Sequence, residues 1–158
     1  EKDRAECKWI ISADDIFSSK FEGFEKYAEL YHIEYFMYRS LLYDQTQTAE
    51  SSIFAKEVRI NMPSGIHCAM LEMRLAKAQK INEIIIKKVG LLNKKNTVFE
   101  DKKFKNCTIN TFGVKNEIVE FSFIYTSVHD TYSKFLQGSK SGSAAAKIDL
   151  VKWEVTAT

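Results

Sequence analysis

Two stretches of this chain alternate apolar and polar residues for longer than an ordinary strand lasts, and that alternation limits the fold more than any other feature. In residues 117–129, Val119, Phe121, Phe123 and Tyr125 fall on one face, with Glu120, Ser122 and Thr126 on the other. In residues 53–62, Phe54, Val58, Ile60 and Met62 oppose Glu57, Arg59 and Asn61, and Lys56 is the one mismatch on the apolar face. Strands of this length exceed the usual ~5–6 residues. In an open sheet they leave long unpaired edges, so the pattern favours a small antiparallel β-barrel or a strongly curled sheet.

The other elements follow from the same periodicity. Residues 7–11 form a short apolar run that enters a polar turn at Ala13, Asp14 and Asp15. Residues 27–38 read as one long aromatic strand, residues 81–89 as another, and residues 97–112 as one or two, interrupted near Glu100, Asp101, Lys102 and Lys103. The last strand, residues 147–156, sets Val151, Trp153 and Val155 against Lys152, Glu154 and Thr156. Only one segment changes period. After Pro63, Ile66, Ala69, Met70 and Met73 follow helical spacing, with Ser64 as N-cap, which predicts one helix over residues 65–79 whose stripe packs on the core. The expectation is seven or eight strands and one helix. Residues 137–143, rich in Gly and Ser, read as a flexible loop inside the domain. With one Pro, six Gly and no internal repeat, residues 1–158 read as a single domain.

Composition narrows the function classes. Lys and Arg number 23 against 21 Asp and Glu, a formal charge of +2, so no broad field draws in nucleic acid or an anionic membrane. No apolar run approaches the ~18 residues of a membrane span. Glu1 through Arg4 carry neither a hydrophobic signal region nor an initiator Met, and a trimmed start is the simplest reading. Cys7, Cys68 and Cys107 are odd in number and far apart, which points to buried free thiols and a reducing compartment. His32, His67 and His129 form no ligand-spaced pair, and no nucleophile or phosphate-cradling motif occurs. His129 and Asp130 are neighbours on a strand and face opposite ways, so they read as a polar strand end. Asp14 with Asp15 and Glu100 with Asp101 read as solvated turns, and Lys94, Lys95, Lys102, Lys103 and Lys105 as a solvated hairpin. No catalytic residue, metal ligand or cofactor is expected; the chain reads as a non-enzyme.

The unexplained quantity is apolar surface. There are 11 Phe, 7 Tyr and 2 Trp, and in residues 27–38 Tyr31, Tyr35 and Met37 oppose Leu30, Phe36 and Tyr38. A strand apolar on both faces needs two covers. A neighbouring subunit is a natural second cover, which makes Tyr31, Tyr35 and Met37 candidates for a subunit interface. A segment of the same chain is the competing cover.

The order of elements resembles the Hcp family, the tail-tube proteins of bacterial type VI secretion. The resemblance runs from Cys7 to Trp153. It includes the opening Cys7-Lys8-Trp9-Ile10-Ile11 with its turn at Asp14-Asp15-Ile16, the strand following the single helix, the Ser- and Phe-containing stretch ending at Tyr132, and the Gly/Ser loop leading into Asp149-Leu150-Val151-Lys152. Lys147 and Ile148 stand where that family has Gly and an aromatic, and residues 41–52 lack the glycines of its second loop, so the chain resembles a divergent member. The resemblance implies a homo-hexameric ring, stacked rings forming a hollow tube, and partners in a spike, baseplate, sheath and exported effectors. It implies residence in the bacterial cytoplasm before firing and export afterwards. Residues 41–52 take the place of a loop that reaches the next ring, where Leu42 and Tyr43 would give apolar contact and Gln45 and Gln47 would bond backbone. An ordinary hairpin loop is the other reading of that segment. The alternative function, from a different class, is a small β-barrel carrier binding an apolar ligand.

Overall fold

The computed structural model describes residues 7–43, 49–136, 139–151 and 154–157. Among them the chain is mainly β with one helix, in the order β1 (Cys7–Ala13), β2 (Ala28–Leu30), β3 (His32–Glu34), β4 (Met37–Tyr43), β5 (Ala49–Ala55), β6 (Val58–Pro63), α1 (His67–Ala76), β7 (Ile81–Leu92), β8 (Lys95–Lys115), β9 (Ile118–Ile124), β10 (Ser127–Leu136), β11 (Ser139–Asp149) and β12 (Glu154–Ala157). All pairings are antiparallel.

β8 organises the sheet. Its first half lies between β7 and β10, and its second half pairs with β9. From β7 the order continues to β1 and β2; from β9 it continues to β6 and β3. The chain passes from β2 to β3 through Tyr31 alone, whose N–H donates to the Asn61 carbonyl at 2.7 Å. The sheet therefore curls around one core, but continuous ladders do not close it into a barrel at that bend. Asn93 and Lys94 turn β7 into β8 with φ of 50° and 65°, the left-handed pair that a tight hairpin needs. On the inner face, cross-strand registers line up Val128, Phe104, Ile84 and Ala13, and beside them Asp130, Lys102, Ile86 and Ile11. Phe104, Phe121, Phe123, Ile60, Met62 and Leu71 complete a core that is almost fully buried.

Several expectations change. The strand over residues 27–38 is broken into β2, β3 and the start of β4, because Tyr31 and Tyr35–Phe36 leave the ladder. Residues 97–112 lie in one strand, kinked by bulges but not interrupted at Glu100 to Lys103, where the chain is paired on both sides. Residues 41–43 and 49–52 are strand, not loop; residues 139–143 begin β11, and residues 147–156 split between β11 and β12. The total is twelve strands among the described residues, more than expected, since the expected strand over 27–38 divides into three and those over 53–62, 117–129 and 147–156 divide into two each. The stretch 53–62 divides at Lys56 and Glu57, which accounts for the Lys56 mismatch: Phe54 and Lys56 turn outward before Val58, Ile60 and Met62 turn in.

The helix reverses its expected orientation. Leu71 is buried, and Cys68 and Leu75 pack beside it on the core, three and four residues to either side. Ile66, at 81% exposure, with Ala69, Met70 and Met73 at 53%, faces out. Two stripes with helical spacing overlap in this segment, and the sheet selects the one carrying leucine.

Candidate assembly surface

Among the described residues β4 and β5 pair in strand ladders only with each other, forming a two-stranded ribbon off the ten-stranded sheet. A lone ribbon is marginal in water, so its two feet matter. At the entry, the Tyr35 ring lies 5.6 Å from Phe104 and 6.5 Å from Tyr125, and Met37 packs with it on the core. At the exit, Glu57 Oε2 accepts hydrogen bonds from Asn110 Nδ2 at 2.6 Å and Ser122 Oγ at 2.8 Å. Asn110 is the extra residue of the β8 bulge opposite β9, so the bulge aims its amide at the ribbon's foot. The bonds from Asn110 and Ser122 hold the Glu57 carboxyl below its ordinary 4.5.

Beneath Tyr35 sits a buried ion pair. Lys102 Nζ donates to Asp130 Oδ1 at 3.0 Å, to Asp130 Oδ2 at 2.9 Å and to Tyr132 Oη at 2.9 Å, while Tyr132 Oη donates to Asp130 Oδ2. Three ammonium protons thus meet three acceptors. The rings of Tyr132 and Tyr35 cover the ammonium at 4.6 and 5.1 Å. Burial alone pulls the Lys102 ammonium down, but its bonds to Asp130 and Tyr132 outweigh that and leave it raised. Burial, then the Asp130 charge, pushes the Tyr35 phenol up. Lys102 and Asp130 were expected in a solvated hairpin and at a strand end. Both instead lie mid-strand and inward, paired in register. A signal existed: Lys102 is two residues from Phe104, and Asp130 two from Val128, so each shares an inward face.

The outward face of the ribbon is aromatic. Phe36 (58% exposed), Tyr38 (50%) and Phe54 stand on it, with the Tyr38 and Phe54 rings stacked at 5.4 Å and Lys56 Nζ 6.0 Å above Tyr38. Of the residues expected at a subunit interface, Tyr31 is exposed, whereas Tyr35 and Met37 serve the chain's own core. The missed residues are Phe36, Tyr38 and Phe54; the break at Tyr35–Phe36 turned out the first two, and the break at Lys56–Glu57 turned out Phe54. Leu42 and Tyr43 lie in β4, in register with Glu50 and Ala49, so they do not belong to a loop. Gln45 and Gln47 lie outside the described residues, as does Trp153. Another exposed apolar surface is α1, where Met70, Met73, Ile16, Asp14, Asp15 and Arg74 are among the residues lining a groove of about 590 Å³.

No family model and no curated protein matches the chain. Solved structures do. A structure described as a type six secretion system protein superposes with a TM-score of 0.83 at 12% identity, covering 96% of this chain and 100% of that one. Hcp1 from Salmonella typhimurium gives 0.74 at 11% identity over 95% and 99% of the two chains. The secreted protein Hcp3 from Pseudomonas aeruginosa gives 0.57 at 12% over 87% and 95%. The chain has the Hcp fold over nearly its whole length.

Proposed function

We propose that this chain is a structural subunit of a type VI secretion tail tube and a divergent Hcp protein. One tube domain, its sheet closing as a small barrel, joins copies of itself into a hexameric ring. Rings stack into a hollow tube through which, or with which, effectors leave the cell, and the spike, baseplate and sheath are its other partners. The subunit waits in the bacterial cytoplasm and is exported when the machine fires. The observation that carries this reading is the full-length likeness to the type six secretion system protein, 96% of one chain on 100% of the other. Exposed aromatic area on the ribbon supports self-assembly, since three large rings left to water on one face are a cost that a neighbour removes.

The carrier reading has less support. Phe104 lies 5.2 Å from Phe123 and 4.8 Å from Tyr125, ring centre to ring centre, so aromatic side chains occupy the space an apolar ligand would need. Light scattering over a concentration series tests the proposal, with electron microscopy of the same samples. A discrete species of six copies and stacked rings is expected; a chain that stays monomeric throughout overturns it. Within that reading, Tyr43→Ala weakens stacking, and unchanged tube length removes Tyr43 from the role.

A further inference from the structure

We infer that the groove between α1 and the turn after β1 receives the aromatic face of the β4–β5 ribbon from a second copy of this chain; the inference rests on the self-assembly proposed above. Each surface is incomplete in one molecule. On the ribbon, Phe36, Tyr38 and Phe54 are exposed, and among the described residues no other strand pairs with β4 or β5. In the groove, Met70 and Met73 are exposed above Ile16. Since both are exposed within one chain, neither covers the other there.

Their chemistry matches. Thioethers adapt in shape and pack favourably on ring edges, so two methionines suit a face of stacked rings. Charges match as well. Lys56 is the cation of the ribbon's outward face; its ammonium rests over Tyr38 and meets no carboxylate among the described residues. Asp15, exposed at the groove's rim, meets no cation among them, while its neighbour Asp14 is engaged by Arg74 at 3.4 Å, and Arg74 also donates to the Lys80 carbonyl at 2.9 Å. Seating the ribbon brings Lys56 to Asp15. Two different patches joined in this way make a heterologous contact, the kind that propagates from copy to copy into rings or stacks.

The test replaces Phe54 with the photo-cross-linker p-benzoylphenylalanine, which inserts readily into methionine side chains, in assemblies mixed from isotopically light and heavy chains. Cross-links between copies at Met70 or Met73 are expected. Cross-links that map elsewhere, or within one copy, overturn the inference while assembled rings leave the tube reading standing. Charge exchange gives an independent readout in case the bulky group blocks assembly. K56E is expected to weaken assembly on the order of tenfold, and adding D15K to restore it. Failure of D15K to rescue K56E overturns the inference. A parent chain that never assembles sinks the inference and the tube reading together.

Discussion

The interior around Lys102 and the β4–β5 ribbon are built on opposite terms. Around Lys102 the chain buries charge, which is costly, and answers it from within: one carboxylate, one phenol and two rings enclose the ammonium. Along the ribbon it exposes apolar rings, which is also costly, and leaves them unanswered. Tyr35 joins the two regions, with its ring on the buried pair and its backbone leading into β4. A region that satisfies itself sets the stability of the chain; a region that does not is where, under the proposed self-assembly, a second molecule contributes. Mutations therefore separate into those that unfold the chain and those that leave it folded but alone.

The largest expected loss of stability comes from Asp130→Ala, which strands the buried Lys102 ammonium and costs about 3–5 kcal/mol by urea denaturation. Replacing the pair together, Lys102→Met with Asp130→Leu, recovers most of that loss; a double variant as weak as the single would mean that the two residues do not act as a pair. Next is Leu71→Ala, expected to cost about 3 kcal/mol as a core cavity, against about 0.5 kcal/mol or less for Met70→Ala on the outer stripe of the same helix. Equal losses would mean the helix is rotated from its described position.

Smaller again is an alkaline effect. Burial pushes the Cys107 thiol from 9.0 up to about 12. Above pH 9 the unfolded chain releases this proton while the folded chain keeps it, so stability that is complete below pH 9 declines as pH rises toward 12. From pH 9 to 10 the decline is about 1 kcal/mol from this group. Tyr35 and Tyr125, both raised by burial, steepen it above pH 10. A Cys107→Ala chain should show a flatter thermal-melt profile between pH 9 and 10; an unchanged slope would assign the decline elsewhere. The smallest stability effect belongs to the ribbon. Tyr38→Ser with Phe54→Ser changes unfolding by about 0.5 kcal/mol or less yet abolishes assembly by light scattering. A large stability loss would place those rings inside the chain's own packing.

Where neighbours in sequence decided the outcome, the sequence was legible. Val119, Phe121 and Phe123 are buried as their alternation required, and the one change of period marked the one helix. The Lys102–Asp130 pair was not legible as a pair, because its partners are 28 residues apart and a lysine beside Asp101 and Lys103 looks solvated until two flanking strands enclose it. The candidate surface was legible only as an excess. Too many aromatics stood in residues 27–38 to be buried once, but which of them faced out depended on two breaks in the ladder, at Tyr31 and at Tyr35–Phe36.

By itself the sequence determined a mainly β architecture with one helix after Pro63, because alternation and helical spacing are properties of the local backbone; it did not determine strand length, since the alternating stretches 53–62 and 117–129 each divide in two. Tertiary structure alone decided which of two overlapping helical stripes met the core, which charges were buried together, and which rings were left outside. Those choices depend on what the sheet places opposite each residue, and register between distant strands is not written in any one of them.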